Sequence, residues 1–432
     1  MPATSATYRL LMHLAAGAVR AGDALSPKAA RARAMRAGVL ARLATWGTHG
    51  RDAARPLAWF HASSVGEGLQ ARAVIEAFHA RHPDWQLAYT YFSPSAEAFA
   101  SRLGADVADI LPLDTAANAA RALDALRPSL LVFTKLDLWP ELATRTAARG
   151  VPVALVAGTV RPGSGRLGWA ARTLLAPGYA VLAAAAAVSD ADAARLARLG
   201  VRRERLVVTG DPRHDSARAR VAAVAPDDPL LATAGGAPAL VAGSTWPPDE
   251  DVLLRAFRAV RAAHPAAQLV LVPHEPTPAA LDRLAREAVR LGLPAPARVR
   301  DGRADAPLKV EDRMGVLATL YGAGTYAWVG GGFGSAGLHS VLEPAAWGLP
   351  VAFGPRHVES RDALMLLEAG GAVAVRHSDA DGAASELAGT WRGWLEQEAA
   401  RAAQGARARS VVETGAGAAV RSVEVLESLI AR

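Results

Sequence analysis

An alternation met twice along this chain limits its fold more than any other feature. Short apolar runs of strand length are separated by stretches rich in Ala, Leu and Arg with helical periodicity. In the first half the runs are Leu57–His61, Leu87–Tyr91, Asp109–Pro112, Leu130–Phe133, Pro152–Val156, Ala185–Ser189 and Leu206–Thr209. The segment Val221 to Pro238, rich in Ala, Asp and Pro, interrupts the pattern as a linker. It restarts at Ala239–Ala242 and continues through Leu269–Val272, Leu308–Val310, Tyr326–Val329, Pro350–Phe353 and Ala372–Val375. Strands joined through helices pair in parallel, and the helices then cover both faces of the sheet. The sequence therefore predicts an α/β protein of two doubly wound halves, residues 1–215 and 216–432, the second closing on a helix near Gly417 to Ile430. Hydrophobic residues make up 51% of the chain, enough for two cores of that size.

Composition removes several chemistries. There is no cysteine, so disulfides, thiolate metal sites and a cysteine nucleophile are excluded. The histidines are scattered and none forms an HExxH pair, so no metal site is expected. The net charge of +7 is concentrated at the N-terminus. Arg9, Arg20, Lys28, Arg31, Arg33, Arg36, Arg42, Arg51 and Arg55 stand there against Asp23 and Asp52, and nine less two equals the excess of the whole chain. Such a segment points to an anionic partner. Without interleaved aromatics, lipid is the better match than nucleic acid.

Tyr8 to Val19 is apolar but interrupted by Arg9 and His13, and it falls short of the roughly 20 residues that a bilayer span needs. Leu10, Leu11, Leu14, Ala15 and Ala18 lie on one helical face. Ala30 to Trp46 repeats the arrangement, with Met35, Val39, Leu40 and Leu43 on one side and arginines on the other. One reading lays residues 1–50 as basic helices on an anionic membrane. The other packs them against the domain as ordinary amphipathic helices.

Glycine-bearing turns close several of the strands. After Tyr326–Val329 come Gly330, Gly331, Gly332, Phe333, Gly334, Ser335, Ala336 and Gly337, and a helical pattern begins near Leu338. Glycines there let the backbone bend and turn N–H groups toward an anion. His339 and Glu343 lie one turn apart on the expected helix, and a carboxylate so placed suits ribose hydroxyls. Gly332, Gly334 and Gly337 have GxGxxG spacing, yet no acid follows at about 20 residues. A tight turn without a ligand is the competing explanation.

The same grammar occurs after Leu57–His61, where Ser64, Gly66 and Glu67 open a helix. Open α/β sheets bind ligands at the C-terminal ends of their strands, which makes Glu67 the leading catalytic candidate. A carboxylate that merely complements the helix dipole is the alternative. Lys135 and Asp137 follow another strand and share a side if the chain stays extended, with Lys135 suited to a phosphate. A surface ion pair explains them equally.

HASSVGEG, KLDLWPEL, GDPRHDS, GSTWPPDED, LVPHEP and VGGGFGSAGLHSVLEPAAWGLPVAFGP occur in that order over nearly the full chain. Together they resemble the Kdo transferases, which add 3-deoxy-D-manno-octulosonic acid to the lipid A precursor of lipopolysaccharide. The resemblance implies a GT-B fold of two Rossmann-like domains facing across a cleft, with the acceptor on the first and CMP-Kdo on the second. It implies a peripheral enzyme on the cytoplasmic face of the inner membrane, with an anionic glycolipid as partner, no nucleic acid, and no cofactor beyond the donor substrate. By the same resemblance Glu67 is the general base, Gly330 to Gly337 flank the donor phosphate, His339 and Glu343 serve the nucleotide, and Ser244 and Thr245 face the cleft. Three departures stand out: Lys135 and Asp137 in place of two glutamates, Ser340 after His339 in place of asparagine, and an altered pattern around His274. They leave room for a UDP-sugar enzyme with another acceptor and for a non-catalytic membrane-bound glycolipid-binding paralogue.

Overall fold

A computed structural model describes residues 3–21 and 27–431. Asp23 lies outside the described residues, as do the side chains of Arg20 and Lys28. The chain divides into two units, one running to Ser216 and resuming at Ala416, the other spanning Ala217–Gly415.

The first unit is built on β1 (Leu57–His61), β2 (Gln86–Tyr91), β3 (Val107–Ile110), β4 (Leu130–Thr134), β5 (Val153–Gly158), β6 (Ala184–Ala187) and β7 (Leu206–Val208). They form one sheet in the order β3-β2-β1-β4-β5-β6-β7, and every pairing is parallel. β1, β2, β4, β5 and β6 are buried along their whole length, as expected of strands covered by helices on both faces. The alanine run Ala184–Ala187 is one of them.

The second unit repeats the plan with β8 (Ala239–Thr245), β9 (Gln268–Pro273), β10 (Ala297–Arg298), β11 (Leu308–Val310), β12 (Tyr326–Val329), β13 (Val351–Phe353) and β14 (Ala372–Ala374). Their order is β10-β11-β9-β8-β12-β13-β14, again all parallel. β10 is a two-residue edge strand inside a polar, proline-bearing stretch that shows no strand periodicity.

In the second sheet β10 and β11 exchange places at the edge, and in both sheets the order reverses near the middle, between β1 and β4 and between β8 and β12. Successive connections leave these neighbours in opposite directions, so a crevice opens beyond their C-terminal ends.

The two amphipathic N-terminal segments part company. Val39 and Leu43, on the helix Val39–His49, are buried in the core of the first unit, and Met35 and Leu40 pack against it. On the helix Ala6–Ala21, by contrast, Leu10, Leu11 and Leu14 are 60%, 46% and 61% exposed. Polar contacts fasten that helix. Tyr8 is buried and its hydroxyl donates to Asp114 Oδ2 at 2.7 Å. Thr4 and Arg9 both bond Glu141, a fully buried carboxylate. Among the described residues, no helix is long and apolar enough to cross a membrane.

The last helix, Ala418–Ile430, differs from the sequence expectation, which kept the chain from 216 to 432 in one half. Ala419, Val423 and Leu426 belong to the core of the first unit. Asp215 accepts from the N–H groups of Gly417 and Ala419 at 2.6 and 3.0 Å, and Arg81 and His82 bond Glu427. Adjacency in sequence favoured the second half, but the apolar stripe of this helix finds its complement on the helix Val65–Arg81 and on β5 and β6. Truncating Leu426 to Ala is therefore expected to destabilise the first unit by about 2–5 kcal/mol. Thermal unfolding would show the melting temperature fall, and an unchanged melting profile would refute the placement.

Candidate active site

In the first unit the loops after β1 and β4 carry Ser63, Ser64, Glu67, Lys135 and Asp137, all at the switch point of the sheet. Ser64 caps the helix Val65–Arg81, its Oγ accepting from Glu67 N–H at 3.5 Å. Gly66 sits in the exposed first turn, where an added Cβ would meet nothing within 4 Å. Glu67 Oε2 accepts from Ser63 N–H at 3.1 Å, and Oε1 lies 3.7 Å from Lys135 Nζ. The carboxylate is 16% exposed and the lysine 43%, so both groups are open to a ligand.

The extended path expected between Lys135 and Asp137 is not observed. Lys135 has φ +63°, in the left-handed region that an L-residue with a long side chain enters at a cost of about 1–2 kcal/mol. The chain turns at once. Lys135 still reaches Glu67, whereas Asp137 turns into the protein. There it accepts from His61 Nε2 at 2.9 Å, from Trp139 Nε1 at 3.1 Å and from Ser63 Oγ, with Arg166 3.7 Å away.

A chain of bonds leads to this carboxylate. Trp59 Nε1 donates to Thr90 Oγ1 at 2.8 Å, Thr90 bonds His61 Nδ1 at 2.9 Å, and His61 Nε2 faces Asp137. Burial pushes the Asp137 carboxyl up, but the bond from His61 and the charge of Arg166 hold it below the usual carboxylate range. Asp137 thus orders the floor of the site, and Glu67 and Lys135 are its exposed pair.

In the second unit the loops after β8 and β12 meet in the same way. Gly331 has φ +93°, and its N–H donates to Asp249 Oδ2 at 2.9 Å. The same oxygen accepts from Trp246 N–H at 3.0 Å, so one carboxylate ties the two loops together. Burial pushes Asp249 up to about 6, against these two bonds. A Cβ on Gly332 would come within 2.6 Å of Gly354 N, so the loops after β12 and β13 touch backbone to backbone. Among the described residues, the N–H groups of Gly332, Phe333 and Gly334 have no acceptor. Gly334 and Gly337 lie on the outer turn of the loop, where an added Cβ meets at most one atom, at 3.9 Å.

Other predicted residues take different places. His339 lies in the loop, because the helix begins only at Leu342. It stacks on His274 with ring centroids 4.5 Å apart, and His274 stacks on Trp246 at 4.8 Å. Glu343 is on the short helix Leu342–Ala346 and pairs with Arg220. Thr245 is buried and donates to Glu250 Oε1 at 3.1 Å, so it supports the loop from within. Ser244, at a break in the β8 register, has φ +52°. Gly330 donates to Gly243 O at 2.9 Å and continues the β8–β12 pairing.

The residues that pattern reading passed over are the ones that organise the two sites. His61, backed by Thr90, and Arg166 converge on Asp137 from distant parts of the chain, and no local spacing marks them. Asp249 carried a weak signal, three residues after Trp246 at the start of a helix, the position of a capping acid.

The family model described as 3-deoxy-D-manno-octulosonic-acid transferase (kdotransferase) matches residues 36–216. The 3-deoxy-D-manno-octulosonic acid transferase of Bordetella pertussis is 31% identical over 410 residues, 89% of this chain and 90% of that protein. Its counterpart in Haemophilus influenzae is 26% identical over 313 residues, 68% of this chain and 70% of that one. A solved UDP-GlcNAc 2-epimerase from Neisseria meningitidis superposes with a TM-score of 0.60 at 12% identity, covering 87% of this chain and all of that one. A solved glycosyltransferase from Rickettsia africae gives 0.58 at 12%, covering 87% and 99%. At such identity the structures speak for the fold alone, two Rossmann-like units of the GT-B class. The sequence identity of 31% sustained over 89% of the chain shows that this protein belongs to the Kdo transferase family, the glycosyltransferases that transfer Kdo in lipopolysaccharide biosynthesis.

Proposed function

We propose that the protein is an inverting glycosyltransferase that moves Kdo from CMP-Kdo to a lipid A precursor such as lipid IVA. The observation that carries this is the pairing of two unlike sites on one chain of this family. The first unit exposes a carboxylate beside a cation, Glu67 and Lys135, at its switch point. In the second, among the described residues, the backbone N–H groups of Gly332 to Gly334 have no acceptor.

The reaction needs both. Glu67 takes the proton from an acceptor sugar hydroxyl as that oxygen bonds the Kdo anomeric carbon. The bond from that carbon to the phosphate oxygen breaks, and CMP leaves with the electron pair. The sugar passes through an oxocarbenium-like transition state. Negative charge grows on the departing phosphate, and the N–H groups of the glycine loop stabilise it. Lys135 is placed to hold a phosphate of the acceptor while keeping the Glu67 carboxylate in register. Glu343 serves the ribose through the oxygen that Arg220 leaves open, and Ser244 borders the same loop.

The exposed face of Leu10, Leu11 and Leu14, with Arg9 and Arg31 nearby in the chain, suits a peripheral or monotopic association with the anionic cytoplasmic face of the inner membrane. The polar anchors of Tyr8, Thr4 and Arg9 support this reading, since they hold the helix with its apolar side outward. The donor is a phosphodiester of a monophosphate and has no diphosphate for a cation to chelate. No metal is therefore required.

Glu67→Gln is expected to lower Kdo transfer by roughly 10²–10⁴-fold while CMP binding persists. Product formation from CMP-Kdo and the tetraacyl disaccharide measures this, and near-normal turnover would remove Glu67 from the mechanism. Changing Leu10, Leu11 and Leu14 together to Ser should weaken flotation with anionic vesicles at least about tenfold. Unaltered vesicle binding would show that another surface makes the contact. Excess EDTA should leave transfer at the untreated rate, and a loss restored by Mg²⁺ would contradict the metal-free scheme.

A further inference from the structure

The three stacked rings of the second unit do more than fill space. Trp246 Nε1 lies 3.1 Å from His339 Nε2, and the two ring planes are 12° apart. An indole N–H can only donate, so His339 Nε2 must accept. A neutral imidazole that accepts at Nε2 carries its proton on Nδ1. Among the described residues, Nδ1 of His339 has no hydrogen-bond partner, and the residue is only half-buried. Its Cδ2 lies next to Gly331, 3.3 Å from where a Cβ there would be, and its main-chain N–H donates to Gly330 O at 3.1 Å. The Nε2–Cδ2 edge is thus turned to the protein, and the Nδ1 edge is left for something else. Burial and the neighbouring His274 hold the ring's pKa down to about 4, so it stays uncharged at neutral pH.

We propose that Trp246 is a positioning residue: it locks His339 with its proton on Nδ1, so that the ring donates a hydrogen bond to a phosphate oxygen of the bound nucleotide. The assignment rests on the reading of this loop as the donor site. It gives the loop a neutral side-chain donor in addition to the N–H groups of Gly332 to Gly334, which lack acceptors among the described residues. Neutral donors bind a singly charged phosphodiester modestly and gain strength as charge accumulates on the leaving group, which is the differential that accelerates transfer. A protonated imidazole would hold the departing CMP more firmly and delay its release.

Two-bond ¹H–¹⁵N correlation of the full chain, labelled at histidine, reads the tautomer directly. The wild type should show His339 protonated at Nδ1. Trp246→Phe keeps an aromatic ring but loses the N–H, and should shift the proton toward Nε2 and weaken CMP binding on the order of tenfold. Wild-type His339 protonated at Nε2 would overturn the assignment and needs no variant to be seen. A tautomer shift in the variant with unchanged CMP affinity would overturn it as well, as would binding of neither CMP nor UDP to the wild type. Binding of UDP in place of CMP would defeat the CMP-Kdo reading. In that case the same tautomer shift, with a comparable loss of UDP affinity, supports the role of Trp246.

Discussion

A parallel sheet whose connections reverse direction leaves a gap that the chain itself cannot fill. Strands β1 and β4 are neighbours, yet the segments that leave them go opposite ways, and the same holds for β8 and β12. Ser64, Glu67, Lys135, Asp137, Ser244, Thr245 and the glycines that begin at Gly330 lie near the end of one of these four strands, whereas Glu343 stands further on, on the helix Leu342–Ala346. The fold thus provides two sites by topology alone, and the residues on the loops decide what each one does.

The two ends have been given opposite chemistry. Around β1 and β4 the exposed groups are charged, Glu67 and Lys135, and a fully hydrogen-bonded carboxylate, Asp137, stiffens the ground beneath them. Around β8 and β12, among the described residues, the groups without acceptors are neutral N–H donors, and the carboxylate that organises them, Asp249, is turned inward to Gly331 and Trp246. A proton acceptor must hold a charge of its own. A cradle for a leaving phosphate works best with fixed dipoles that respond to charge as it develops. On the proposed reading, the contrast between the two loops matches the two halves of a glycosyl transfer.

The alternation of strand and helix was legible because each strand is buried on both faces and reads as a continuous apolar run. Glu67 and the glycine loop were legible because a turn at a strand's end must be built from special residues close together in the chain. What stayed hidden depends on distance in sequence. The helix Ala418–Ile430 has an apolar stripe that would suit either unit, and only the complementary surface on the first unit and the cap from Asp215 choose between them. Val39 and Leu43 have the same periodicity as Leu10 and Leu14, yet one pair is buried and the other exposed. Periodicity reports that a face is apolar and says nothing of what covers it. The roles of His61, Trp246 and His274 likewise appear only when separate loops are brought together.

Backbone strain marks the same places. Among the described residues four non-glycine positions have positive φ: Arg127, Lys135, Ala157 and Ser244. Arg127 ends a helix, where the left-handed conformation is common. Ala157 sits at the register shift between β5 and β6. Lys135 and Ser244 are different, since each directly follows or ends a strand at a switch point, β4 in one unit and β8 in the other. A glycine at either position would relieve the strain. At 135 it would also remove the cation that stands 3.7 Å from Glu67, and an unstrained extended path would carry the lysine past it. Strain of this kind persists only where the surrounding structure imposes it. Here Lys135 N–H is fixed to Val156 O at 2.8 Å, and Asp137 is fixed by His61 and Trp139, so the turn between them is determined from both ends. The turn that presents Lys135 is thus built into the backbone, and it sets that lysine beside the Glu67 carboxylate.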